Sequence, residues 1–248
     1  MRVDSRERFS ATADNYRRYR PSYPSRMFDW LAAETRLGGG AIVADVGCGT
    51  GISTRLFAER GYDVIGVDPN EQMLQQARAE GGAARYVRGE ASRTGLPDAS
   101  VDLVAAAQAY HWFDVPASLV EFRRILRSGG RCAAFWNLRG DGALMDAYDA
   151  LLRQHASEYD VLLKPRQTIA AIKAQPAVRD VREAEFAHAQ RLDRDGLFGR
   201  AYSTSYVAHG LSDKPGFDRA LSELFGRHSA QGGIEFPYRC VALLWQML

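Results

Sequence analysis

The segment that most constrains this chain is an apolar run that leads directly into a glycine-rich turn. Ala41-Ile42-Val43-Ala44-Asp45-Val46 is followed by Gly47-Cys48-Gly49-Thr50-Gly51. A continuous apolar run of this length predicts a strand buried on both faces. Glycines at alternate positions let the chain turn sharply and bring bare backbone against a ligand. A helix opens at Gly51, with Ile52, Leu56 and Phe57 on one side and Gly61 as its stop, and its first N–H groups have no partner within the helix. The next strand, 62–68, ends in Asp68. Its position, roughly 20 residues beyond the loop, is where a carboxylate grips a ribose diol. Together these residues predict a nucleoside-binding site.

The charges narrow the choice of nucleoside. A dinucleotide fingerprint is G-x-G-x-x-G, whereas here the spacing is G-x-G-x-G and the position of the last fingerprint glycine holds Ile52. Asp45 lies two residues before the first glycine. It would repel a pyrophosphate and attract an ammonium group. S-adenosyl-L-methionine carries a ribose, an α-ammonium and a sulfonium but no phosphate, so it suits this loop better than NAD(P).

The rest of the chain alternates strands with helices. A short helix is expected over 27–33, a helix over 71–79, strands over 84–89 and 100–109, a helix over 116–126 capped by Asp114, and a strand over 131–137 after Gly129-Gly130. Such alternation implies parallel strands with crossover helices, hence an α/β, Rossmann-like doubly wound sheet. Further on, a helix is expected over 143–159, a Pro-flanked stretch around 165–175, an alternating strand over 181–192, a helix around Phe217, Ala220, Leu221 and Leu224, and a final strand over 234–248. A hairpin of the two late strands would complete seven strands, mostly parallel, with the last antiparallel. The expected organisation is a single domain over 1–248. Within it, 1–36 form an N-terminal cap segment, 37–140 the cofactor-binding core, 141–233 a helical cap and substrate region containing the 181–192 strand, and 234–248 the last strand.

VADVGCGTG followed by VIGVDPNEQML closely resembles the first two motifs of class I S-adenosylmethionine-dependent methyltransferases. GEASRTGLPDASVDLV and LRSGGRCAAFWN resemble their later blocks, so the resemblance covers about residues 40–137. YRRYRPSYPSRMFDWL and QAYHWFD are similar to a narrower small-molecule group that includes trans-aconitate methyltransferase, its fungal relatives and other type-11 methyltransferases. The resemblance implies that Asp45 and Gly47 hold the amino-acid end of the cofactor and that Gly49 and Gly51 give it room. By the same resemblance Asp68 binds the ribose, Met73 covers the adenine, Glu90 and Ala91 lie beside its edge, and Gln108 lies near the methionine portion. The product would be S-adenosyl-L-homocysteine.

Methyl transfer from a sulfonium is an in-line displacement that needs alignment and exclusion of water. A carboxylate acceptor is already ionised near pH 7, whereas a hydroxyl usually needs a base. Tyr110-His111-Trp112-Phe113 follows the fourth strand at the mouth of the expected site. His111 and Trp112 are the candidate catalytic residues, His111 as a general base or as a donor to a substrate carboxylate and Trp112 donating its indole N–H beside it. Tyr16 and Arg20 are candidates to fold over the cofactor, and Tyr23, Tyr110, Trp136 and Tyr206 to contact substrate. The expected function is methyl transfer to an oxygen of a small organic acceptor. N- or C-methylation of a small metabolite, and an NAD(P)-dependent oxidoreductase, stand as alternatives.

Composition excludes several classes. The 248 residues carry a net charge of +2 with no long basic block, so no nucleic-acid partner is expected. No apolar run approaches the roughly 20 residues that span a bilayer, and the polar N-terminus lacks a signal-peptide core. A cytoplasmic protein, monomeric or homodimeric and without a membrane partner, is expected. Cys48, Cys132 and Cys240 are far apart with no C-x-x-C pair, and they are expected to be small buried hydrophobes. No His, Asp and Glu set has metal-ligand spacing, so no metal is expected.

Overall fold

The structure, a computed structural model, describes residues 19–156, 159 and 164–248; Tyr16 lies outside them. In chain order the elements are α1 (Ser25–Thr35), β1 (Ile42–Val46), α2 (Ile52–Ala58), β2 (Asp63–Asp68), α3 (Glu71–Ala79), β3 (Arg85–Arg88) and β4 (Val101–Ala107). A 3-10 turn at Tyr110–Trp112 leads into α4 (Val115–Ile125), β5 (Leu126–Arg139), α5 (Ala143–His155), α6 (Lys164–Lys173) and β6 (Val178–Leu192). The last are α7 (Arg194–Tyr202), the single turn α8 (Ser205–Ala208), α9 (Lys214–His228) and β7 (Ile234–Met247).

Short polar side chains start these helices by satisfying N–H groups that have no intrahelical partner. The Asn70 side chain accepts from the Gln72 and Met73 N–H groups at 3.0 and 3.2 Å. Asp114 accepts from the Ala117 N–H at 3.0 Å, as expected of it, and Asp193 and Asp213 open α7 and α9 in the same way.

The seven strands lie in the order β3-β2-β1-β4-β5-β7-β6. β1 to β5 pair in parallel, and the last strands run antiparallel. The order reverses between β1 and β4. In such a sheet ligands bind in the crevice outside the carboxyl ends at that point, and here Gly47 and Gln108 immediately follow the two strands.

Three details differ from expectation. β5 starts at Leu126, directly after α4, and runs across Gly129-Gly130. Leu126 pairs with Val101 and Arg131 with Leu103, so residues 127–130 bulge from the ladder, with Gly129 at φ 81°. Helix α5 ends at His155, short of the expected Tyr159. The Pro-flanked stretch is helix α6, with Pro165 in its first turn, where a missing N–H costs nothing.

The chain forms two compact units. Of the described residues, one comprises 22–136, 164–186 and 240–248, the other 19–21, 137–156, 159 and 187–239. The first has a core of Met27, Phe28, Phe57, Leu103, Phe135 and Leu244, with Phe28 and Phe57 meeting edge to face at 4.9 Å. The second is centred on Tyr148, Leu152, Leu197, Phe217, Leu221 and Phe236. Helix α6 and the start of β6 belong with the first unit and not with the rest of 141–233. Trp30 packs on Phe186 at 6.0 Å, and the Leu248 N–H donates to the Ala177 carbonyl at 2.9 Å. Among the described residues no helix is long and apolar enough to cross a membrane.

Candidate active site

β1 delivers Asp45 to the interior, where the residue has 0% exposure. Ser53 and Thr54, on the first turn of α2, donate to its Oδ2 at 2.7 and 2.6 Å. Its Oδ1 is buried without a partner. Burial pushes the carboxyl up to about 6; the two hydroxyl bonds pull it back, and the nearby Asp68 pushes it further up.

Gly47 turns the chain at φ 73°. A Cβ there would lie 2.5 Å from the Ala109 Cβ and 3.1 Å from the Phe113 ring, so both the backbone conformation and the space demand glycine. The Gly49 N–H donates to Asp68 Oδ2 and the Asn70 N–H to Asp68 Oδ1, both at 2.9 Å. The carboxylate is thereby fixed at the end of β2, and each oxygen retains lone-pair capacity for a diol. Burial raises the Asp68 carboxyl above its usual range, against the pull of those two N–H groups. The Thr50 hydroxyl, which sequence patterning did not single out, is also buried without a partner.

These residues fit a nucleoside that carries an α-ammonium. The unpartnered Asp45 oxygen would offer an anion where a pyrophosphate would need donors, and Asp68 would offer acceptors to a diol. Cys48 takes no part: burial lifts its thiol well above the ordinary range, and Asp45 and Asp68 add to the rise.

The other expected residues are distributed as follows. Met73 is buried on α3. Glu90 is exposed, its backbone bonded both ways with Arg93, and Ala91 beside it is half-buried. Gln108 holds a left-handed φ of 53°, and its N–H donates to the Phe135 carbonyl at 2.8 Å. A non-glycine residue in this region costs about 1–3 kcal/mol and is characteristic of ligand sites. Tyr23 meets Phe135 edge to face at 4.9 Å. Arg20 and Tyr206 belong to the other unit. There Arg20 Nη2 donates to the Ser203 carbonyl at 3.0 Å, and Tyr206 meets Tyr159 at 5.5 Å.

Two expected substrate contacts are corrected. Tyr110 has 0% exposure, its ring meets Phe122 and Trp245 edge to face, and its hydroxyl accepts from Ser118 at 3.2 Å. It is part of the core. Trp136 also has 0% exposure, and its Nε1–H donates to His111 Nδ1 at 3.2 Å. It orients His111 and touches no open space. With Nδ1 serving as acceptor, the single proton of the neutral imidazole resides on Nε2. Trp112 is 36% exposed and lies 5.0 Å from the His111 ring. Among the described residues no group of three or more His, Cys, Asp or Glu is placed to hold a metal.

Comparison with known proteins bears on the same segment. Residues 44–134 match the model of a methyltransferase domain. An uncharacterized methyltransferase of Mycobacterium tuberculosis is 42% identical over 135 residues, 54% of this chain and 53% of that protein. A malonyl-[acyl-carrier protein] O-methyltransferase of Serratia marcescens is 35% identical over 112 residues, 45% of this chain and 43% of that one. The matches thus span about half the length of these curated relatives. A solved structure from Anaeromyxobacter dehalogenans, designated a type II methyltransferase, superimposes with a TM-score of 0.64 at 26% identity, covering 91% of this chain and 95% of that one. With its glycine loop, its two buried carboxylates and its seven-stranded sheet, the chain contains a segment similar to a methyltransferase domain, set in a Rossmann-like fold shared with that solved structure.

Proposed function

We propose that this chain transfers a methyl group from S-adenosylmethionine to an oxygen of a small organic acid. The hydrogen bond from Trp136 to His111 Nδ1 carries the choice of acceptor. It leaves His111 with a proton on Nε2, a donor to an anionic oxygen, not a base for a hydroxyl. The relatives named as O-methyltransferases, from Serratia marcescens and Pectobacterium atrosepticum, support an oxygen acceptor.

When bound, S-adenosylmethionine supplies an electrophilic methyl group on a sulfonium. Asp45 holds the ammonium and Asp68 the ribose hydroxyls, while Met73, Glu90, Ala91 and Gln108 line the cofactor. Tyr23, which packs against Phe135 in the same unit, contacts the acceptor. His111 Nε2–H, beside the Trp112 indole, orients the acceptor carboxylate. With the methyl donor bound, the ionised carboxylate would take the methyl group directly and the sulfide would leave, so the residues of this chain need only orient the acceptor and exclude water. The products are a methyl ester and S-adenosylhomocysteine, and no proton is removed from the acceptor.

The test is transfer of labelled methyl from S-adenosylmethionine to panels of small carboxylic acids, phenols and amines. Base-stable label in place of a base-labile methyl ester would contradict the acceptor, and no transfer to any panel would contradict the activity. Replacing His111 by Gln keeps a side-chain donor. Loss of less than about tenfold with an unchanged pH profile is expected of a donor, against the 10²–10⁴-fold loss typical of a missing base.

A further inference from the structure

The second unit holds a buried cation that no carboxylate among the described residues neutralises. Arg200, on α7, is 7% exposed. Among the described residues, the only acceptor its guanidinium meets is the Tyr238 hydroxyl, 2.7 Å from Nε. The same guanidinium lies 5.8 and 5.7 Å from the ring centres of Phe236 and Tyr238. An arginine is rarely buried unless paired, and the desolvation of an unpaired ion is a heavy penalty for a fold to carry.

Two further donors share this neighbourhood. Tyr148 is 1% exposed and packs edge to face on Phe236 at 5.3 Å, yet its hydroxyl has no partner. Burial lifts its phenol far above the ordinary range, so the hydroxyl keeps its proton. Arg139 lies over the Tyr148 ring at 5.5 Å. Its charge is matched by Asp149 at 3.3 Å, while its Nη1 is buried without a partner. Among the described residues, the uncompensated charge of the cluster is therefore the one on Arg200, surrounded by aromatic faces and spare donors.

We propose that Arg200, Tyr148 and Arg139 form a binding site for the carboxylate of a small organic acid. A planar monoanion matches one unpaired guanidinium in charge and shape, and the Phe236 and Tyr238 rings suit an apolar remainder. The site deepens the function proposed above by naming an anionic substrate class, and to that extent it rests on that reading. Binding of an acid to this unit is, however, measured without any methyl transfer.

The experiment is calorimetric titration of the whole chain with hexanoate, benzoate and adipate, with and without S-adenosylhomocysteine. The corresponding amides serve as neutral controls and inorganic phosphate as a competing anion. At least one acid binds and its amide does not. Arg200→Gln weakens that acid about 10- to 100-fold, the usual range for a hydrogen bond to a charged group. Tyr148→Phe weakens it roughly 2- to 10-fold while leaving the melting temperature unchanged or higher, because it removes an unpaired buried hydroxyl. Tyr148→Phe also keeps the test decisive if Arg200→Gln fails to fold. S-adenosylhomocysteine binding is unaltered in both variants. The proposal is overturned if no acid binds, if amides or phosphate bind as well as acids, or if Tyr148→Phe lowers the melting temperature and leaves acid affinity intact. Loss of cofactor binding in the wild type would instead strike the methyltransferase reading and leave the acid titration to stand or fall by itself.

Discussion

The glycine-loop cradle and the arginine–tyrosine cluster are opposites built on the same physical device. In the cradle a buried anion, Asp45, keeps one carboxylate oxygen without a partner. In the cluster a buried cation, Arg200, meets a phenol in place of a carboxylate. The first suits an ammonium ligand and the second a carboxylate ligand. Both tolerate a desolvation penalty that a purely structural residue would relieve by pairing. They differ in how they are made. The cradle occupies residues 45–70 and is held by backbone N–H groups and two hydroxyls from the next helix turn. The cluster is drawn from β5, α5, α7 and β7 and is held by side-chain packing.

That difference gives the cradle the larger response to mutation. Gly47→Ala puts a Cβ into a left-handed position 2.5 Å from Ala109. Backbone strain of about 1–2 kcal/mol and overpacking of about 1–3 kcal/mol add. Thermal melts should fall by roughly 5–15 °C for a chain of this size, with cofactor binding lost. An unchanged melt would mean the loop is not rigid, and the contrast between the two regions would fail.

Asp45→Asn is the next largest. Removing one partner of a buried charged pair costs about 2–5 kcal/mol of affinity, which calorimetry with S-adenosylhomocysteine would read. The same variant tests the pH dependence. The Asp45 carboxyl titrates at about 6 in the ligand-free fold, above its ordinary 3.8. Its contribution to stability is therefore full below about pH 4 and is lost as pH rises through about 6. An ammonium ligand favours the ionised form, so affinity should climb between about pH 5 and pH 7 and then level off. In Asp45→Asn that slope should vanish.

Asp68→Ala should cost about 1.5–3 kcal/mol of adenosyl affinity, the range for a hydrogen bond to a charged group. Equal affinity would remove Asp68 from the ribose site. The smallest effect is expected from Cys48→Ser, assayed by methyl transfer and by thiol alkylation. The thiol is buried and held protonated, so it should resist alkylation in the folded protein, and the variant should keep its turnover within about twofold, since a protonated thiol is not a nucleophile.

The same contrast explains what was legible in the sequence. Asp45, Gly47, Gly49 and Asp68 could be read because a tight strand-to-helix turn dictates glycine and because neighbours in the chain are neighbours in space. Helix starts at Asn70 and Asp114 were legible for a similar reason, since a capping side chain acts on N–H groups two or three residues on. The β5 bulge was not. Two adjacent glycines read as a stop, and only the pairing of Leu126 with Val101 shows the strand starting before them. Tyr110 and Trp136 were misplaced because an aromatic residue at a strand end looks the same whether it faces a ligand or packs on Trp245 or His111. Arg200 carries no local signal at all. Its meaning comes from Tyr148 and Tyr238, each about 40–50 residues away along the chain, and from the absence of a carboxylate among its described neighbours. Long-range polar clusters of this kind are set by tertiary packing, which periodicity does not encode.

The central claim is that the Asp45–Gly51 loop and Asp68 form a site for an adenosyl ligand bearing an ammonium group. Calorimetric titration of the wild type and Asp45→Asn with S-adenosylhomocysteine near pH 7, with NADH as the competing ligand, tests it most directly. The account predicts binding to the wild type, a drop of at least tenfold in the variant and no binding of NADH. Equal affinity in the two proteins, or tighter binding of NADH than of S-adenosylhomocysteine, would contradict it.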